Sequence, residues 1–278
     1  MPPNDMTTVR NPLAFCSISA LDRPLARVAE LAASLDLDGI EVTARPPHLE
    51  LDADLAAVRD AGRTVRAAGS DVIAYGSYLG RFRLTTPAHA EREAARAAAL
   101  GAPLLRVWAE PLDGAPHDRE TVVALLRTAC DAARGDGITV VVERHVGSFA
   151  DTPERIAALL DAIDRPNVAL NYQVLDFLPP EEAPLQPADA ATLVPHARYF
   201  HLKNYRANDA PGGPLLLGAS LAGGVLDYQA ILASALDVGY VGPMTIEFLA
   251  ADARPVEDKL ADDVAFVRAV LADRRGSE

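Results

Sequence analysis

The chain has 278 residues, half of them hydrophobic, with 26 basic against 39 acidic side chains and a formal net charge of −13. That length suits a single α/β barrel, and the negative excess opposes a phosphate backbone, so nucleic acid is not an expected partner. No apolar run approaches the roughly 20 residues that span a bilayer, and two cysteines, Cys16 and Cys130, are too few for a disulfide framework. A membrane protein and a disulfide-stapled secreted domain are both disfavoured, which leaves the cytoplasm as the expected location.

In chain order, residues 1–11 (MPPNDMTTVRN) lack the basic start and apolar stretch of a secretory signal and are expected as a flexible lead-in. Residues 12–275 are expected to form one domain. Within it a helical pattern, a glycine and an apolar run recur together at LAASLDLDGIEV, VRAAGSDVIAY, ARAAALGAPLLRVW, ARGDGITVVVE and ALDVGYVGPMTIEF. Glycine ending each helix in a left-handed turn would feed the next strand. Strands are expected near 13–18, 38–42, 71–75, 103–108, 138–143, 167–172, 198–202 and 243–247, with helices between them. Thr86-Pro87 and Thr152-Pro153 mark helix starts, and Asp227 caps YQAILASAL. The arginines of HAEREAARAAAL are expected on a solvated helix face. Eight strands alternating with helices predict a closed (β/α)8 TIM barrel, and no phosphate-cradling glycine motif follows the first strand.

Two of the apolar runs, ITVVVE from Ile138 to Glu143 and MTIE from Met244 to Glu247, end abruptly in a glutamate. In a parallel barrel the reactive groups project from the carboxyl ends of the strands, so both carboxylates are expected in one shared mouth. Gln173 follows the sixth strand and His201 the seventh. Glu143, Gln173, His201 and Glu247 together suit one divalent ion of intermediate hardness, Mn²⁺ before Co²⁺ or Mg²⁺. Singly, each has a plainer reading as an ion-pair partner or a hydrogen-bonded core group.

The segments VVVERHVGSFADTPE, PNVALNYQVLDF, RYFHLKNYR and LAGGVLDYQAILASALDVGYVGPMTIEF resemble the xylose isomerase-like sugar isomerase and epimerase superfamily, which includes endonuclease IV. The resemblance implies a metal-dependent sugar enzyme whose single ion would be held by Glu143, Gln173, His201 and Glu247. It also exposes a departure. Where the superfamily writes an aspartate followed three residues later by histidine, this chain has Gln173 and Asp176, so either the Gln173 carbonyl oxygen coordinates or Asp176 compensates from a shifted position. The second acid that ketohexose epimerases carry after the strand-five glutamate is missing from HVGSF. Endonuclease IV needs a histidine-rich trinuclear zinc cluster, whereas His48, His89, His117 and His196 are scattered here.

The chemistry expected of such a mouth is proton transfer next to a carbonyl through an enediolate, with Glu143 and Glu247 as the catalytic pair on a small sugar or keto-sugar derivative. If a β-substituent leaves before reprotonation, the same residues make a lyase, a dehydratase or β-eliminase. Lys203 and Arg206 in HLKNYR, His145, Trp108, Asp176 and Glu41 are candidate substrate contacts. The loop NDAPGGPLLLGASLAGG, 208–224, reads as a lid or as a surface for another copy or a second subunit. A partner-dependent, non-catalytic barrel is the remaining alternative.

Overall fold

The structure, a computed structural model, describes residues 11–111, 119–175, 178, 181–208, 216–248 and 254–275. The apolar runs form strands β1 (Leu13–Cys16), β2 (Gly39–Thr43), β3 (Asp71–Gly76), β4 (Leu104–Val107), β5 (Thr139–Glu143), β6 (Val168–Tyr172) and β7 (Ala197–Leu202). A two-stranded antiparallel ribbon follows, β8 (Asn204–Ala207) with β9 (Leu216–Ala219), and then β10 (Met244–Ile246). β1, β10, β7, β6, β5, β4, β3 and β2 pair in that order, all parallel, and close into a barrel. Within the segment expected as a lid or as a surface for another copy or subunit, Leu216–Ala219 pair as β9 with β8, just past the seventh barrel strand.

Helices α1 (Leu25–Ser34), α2 (Leu55–Ala67), α3 (Pro87–Leu100), α4 (Arg119–Ala133), α5 (Pro153–Ile163), α6 (Gln186–Leu193), α7 (Tyr228–Asp237) and α8 (Val256–Arg275) surround it. Thr86, Thr152 and Asp227 accept backbone N–H groups at the starts of α3, α5 and α7, as their positions before a proline or an apolar run led us to expect. Gly69, Gly101, Gly137 and Gly239 stand at φ +82°, +79°, +70° and +82°, the left-handed turns that release the next strand. The first repeat differs. There Asp36 takes the left-handed turn at φ +55°, and Gly39 begins β2 because a Cβ on it would lie 2.3 Å from the Asp71 carbonyl oxygen.

Valine, isoleucine and leucine side chains on the outward faces of the strands pack against the helices in one continuous core. Each such side chain, fully buried, contributes about 1.5–3 kcal/mol. Inside the barrel a smaller cluster of Ala74, Leu104, Val141, Ala169 and Tyr199 fills the cross-section. Side chains alternate along a strand, so two residues further on from Leu104, Val141, Ala169 and Tyr199 the interior meets Arg106, Glu143, Asn171 and His201. The next layer toward the carboxyl ends is thus polar, and it forms the floor of the mouth. At the opposite end, buried Asn11 donates to the carbonyls of Tyr240 and Gly242 at 3.0 and 3.1 Å.

One expectation about the helices is corrected for one residue. Arg92 of α3 is partly exposed, but Arg96 is fully buried, as is Glu93 beside it: Tyr75 donates to Glu93 at 2.6 Å, and Arg96 donates to the carbonyls of Glu50 and Leu51 at 2.6 and 2.8 Å. The short alanines on either side let the helix approach the barrel closely enough to cover them.

Candidate active site

Arg106 is the centre of the polar layer. It sits mid-strand in LLRVWAE, 3 % exposed, and no water reaches its charge, so protein groups must balance it. Its Nε donates to Glu41 Oε1 at 2.9 Å and its Nη1 to Glu143 Oε2 at 2.6 Å. Burial would lower the guanidinium, but Glu143 and Glu41 outweigh it and hold Arg106 protonated, above its ordinary range.

Glu41 continues the chain of contacts. It accepts from Tyr199 Oη at 2.7 Å, and its Oε2 lies 2.7 Å from His201 Nε2. The other ring nitrogen, Nδ1, lies 3.1 Å from Glu247 Oε2 and 3.3 Å from Asn171 Nδ2. A carboxylate at each nitrogen makes His201 an imidazolium. Burial opposes that charge, yet Glu41 and Glu247 raise His201 to about 9. Burial likewise opposes the charge on the two acids. Arg106 and His201 nevertheless hold Glu41 well below the carboxylate range, and His201 with Lys203 brings Glu247 down to about 2. Cys16, at the end of β1 beside these carboxylates, is pushed well up by burial, Glu41 and Glu247, so it stays an un-ionised thiol.

Gln173 extends the network past Glu143. Its Nε2 donates to Glu143 Oε1 at 3.0 Å and to the Arg144 carbonyl at 2.6 Å. Turning the amide over would set its oxygen against two acceptors, so the orientation is determined by its partners. Gln173 Oε1 is consequently left buried with no hydrogen-bond partner among the described residues. The connected order is Gln173, Glu143, Arg106, Glu41, His201, Glu247. Within it solvent access is uneven: the Glu247 side chain is 20 % exposed, Glu143 5 % and Glu41 0 %.

The sequence pointed to a divalent ion held by Glu143, Gln173, His201 and Glu247, and the donor set can be tested against that. A ligand must turn a lone pair toward the ion. Glu143 has one oxygen on Arg106 and the other on the Gln173 amide, and each ring nitrogen of His201 faces a carboxylate oxygen, Glu41 at 2.7 Å and Glu247 at 3.1 Å. Gln173 and Glu143 form one pair, His201 and Glu247 another, linked through Arg106 and Glu41. Among the described residues no three His, Cys, Asp or Glu side chains are grouped so as to hold a metal ion. As arranged, these residues do not fit a divalent cation.

The remaining candidates fall at the rim or away from it. His145 Nδ1 lies 2.7 Å from Glu110 Oε1, and its ring meets the edge of Trp108 with centroids 5.1 Å apart. Arg81 reaches Glu110 Oε2 at 3.0 Å and lies 4.3 Å over the Trp108 ring, which Tyr78 flanks on a parallel plane at 6.2 Å. Trp108 is buried in the continuous core, its indole N–H donating to the Ser77 carbonyl at 3.0 Å. Lys203 is buried beside Glu247. Arg206 is exposed on the β8–β9 ribbon, and Asp176 lies outside the described residues. Sequence reasoning missed Arg106, Arg81 and Glu110. For Arg106 a signal existed, since a lone arginine inside an otherwise apolar strand must have buried acid partners.

Among the described residues no helix is long and apolar enough to cross a membrane. A 98-residue stretch is 30% identical to a 3-dehydroshikimate dehydratase of Bacillus anthracis, covering 35% of this chain and 34% of that protein. Solved structures share the fold, two of them as follows. A xylose isomerase-like TIM barrel protein from Mycobacterium smegmatis, solved in complex with magnesium, is 19% identical with a TM-score of 0.68 over 94% of this chain and 97% of that one. D-allulose 3-epimerase from Methylomonas sp. is 16% identical with a TM-score of 0.68 over 94% and 98%. The family described as xylose isomerase-like TIM barrel matches residues 29–270, and with the closed eight-stranded barrel in place the chain belongs to it.

Proposed function

We propose that this chain is an enzyme that moves a proton at the carbon next to a carbonyl of a small polyhydroxylated substrate, an isomerase or epimerase of a sugar or keto-sugar derivative. The observation that supports it most is Glu247, which of the three linked carboxylates is the most open to solvent, on the far side of the mouth from Glu143 in barrel order. In this reading Glu247 takes the proton. A carboxylate held near 2 is a weak base in the resting site. Substrate binding excludes water and turns Lys203 toward the developing enediolate oxygen, which removes part of the charge holding Glu247 low and raises its basicity as the proton moves. His145, backed by Glu110, returns a proton from the β5 side. Gln173 Oε1, a buried acceptor in need of a donor, takes a substrate hydroxyl.

A second reading is favoured by the stretch shared with the dehydratase. The first step is the same, and loss of a β-hydroxyl before reprotonation turns the isomerase into a lyase. Incubation in D₂O with ketoses, 3-keto-glycosides and 3-dehydroshikimate distinguishes the outcomes. Deuterium next to the carbonyl is the expected result, loss of water selects the lyase, and protein that exchanges no proton in any of them ends both readings.

A further inference from the structure

We propose that the Arg106 guanidinium takes the place of a divalent ion in this barrel, so that the site is assembled and held together without a metal. Three observations meet here. Arg106 is gripped on several sides, by Glu41 at 2.9 Å, by Glu143 at 2.6 Å and by the Trp108 ring, whose centroid lies 5.1 Å from its Cζ. The neighbouring strand makes room for this grip: a Cβ on Gly76 would stand 2.7 Å from Arg106 Nη2 and 2.2 Å from Glu41 Oε1, so an alanine there would collide with the pair. The third is the amide of Gln173, which contributes no negative charge beside Glu143 and spends both N–H bonds on acceptors.

Glu41 and Glu143 each turn an oxygen onto Arg106, so the guanidinium sits where the two carboxylates converge. A divalent cation entering this layer would meet a fixed positive charge on the Glu143 oxygen it needs. It would have to displace a guanidinium whose removal uncovers two buried carboxylates. The rigid fork of arginine supplies what an ion otherwise would, a positive charge that orients two acids at once. This goes beyond the proposed reaction, which leaves open what holds the carboxylates in place, and it stands or falls separately from it.

The test begins with the wild-type protein, purified with and without EDTA, measured for Mn, Mg, Co and Zn by mass spectrometry and melted in Mn²⁺, Mg²⁺ or EDTA. Substoichiometric metal and a melting temperature that none of the three moves are expected. One ion retained per chain, with melting raised by Mn²⁺ and lowered by EDTA, overturns the proposal. Arg106→Met then frees Glu41 and Glu143 and is expected to acquire a Mn²⁺-dependent rise in melting temperature, while Arg106→Lys, which keeps a cation, stays unresponsive. A folded Arg106→Met protein indifferent to Mn²⁺ also overturns it; should that variant not fold, the wild-type measurement decides alone.

Discussion

Among the described residues two arginine–glutamate clusters are buried, and they differ in what their acids are left to do. On α3, Arg96 and Glu93 are closed in by backbone carbonyls and a tyrosine: Arg96 reaches Glu93 at 3.1 Å and the carbonyls of Glu50 and Leu51, and Tyr75 takes the other Glu93 oxygen. That cluster ties the helix to the loop after β2, and the Glu93 carboxylate itself is fully buried. Inside the barrel Arg106 also joins two acids, but its network continues to Glu247, which is partly exposed, and leaves Gln173 Oε1 without a hydrogen-bond partner among the described residues. Burial of an ion pair is thus common to scaffold and site. An unspent buried acceptor in a network that reaches solvent at Glu247 is what sets the site apart.

The comparison is broken most directly at Glu247. Glu247→Gln is expected to lower proton exchange into substrate by about 10²–10⁴-fold, the usual worth of a positioned acid or base, while the far-ultraviolet dichroism stays native. Unchanged exchange would reduce Glu247 to scaffold like Glu93. Arg96→Met probes the other side. It strands the carbonyls of Glu50 and Leu51, leaves Glu93 with Arg92 alone, and is expected to cost about 3–5 kcal/mol, read from the urea midpoint, with exchange per folded molecule unaltered. A fall in exchange at full folding would show that the helix cluster is coupled to the mouth.

The smallest expected effect is in pH. His201 is raised from 6.5 to about 9, so its contact with the carboxylates contributes fully below 6.5 and is lost as pH climbs through about 9. Glu247 is lowered from 4.5 to about 2, so the same contact is present above 4.5 and lost as pH falls through about 2. Counted once, the alkaline limb amounts to on the order of 3 kcal/mol. Urea titrations at pH 6, 7.5 and 9 are expected to show falling stability in the wild type and a flatter profile in His201→Phe. Parallel profiles in the two proteins would remove the charge from His201.

Much of the barrel could be read from the chain because its strands are short apolar runs that stop at polar residues, two of its helices begin at Thr-Pro pairs, and four are followed by a left-handed glycine. Glu143, Gln173, His201 and Glu247 were legible for the same reason, each placed at or just past the end of such a run. The residues that join them were less so. Glu93 and Arg96 look like any charged pair on an alanine-rich helix, and only packing against β3 shows that they are sealed.

What the amino-acid order determined by itself is local: the alternation that turns Leu104 and Arg106 to the same face, and the helix caps that set where each strand begins. What the tertiary structure decided is which charges meet. Glu41 lies 65 residues from Arg106 and 160 from His201, and their contact exists only because eight strands close into one ring. Coulomb attraction and desolvation depend on distance in space and on the exclusion of water, and neither is written in spacing along the chain.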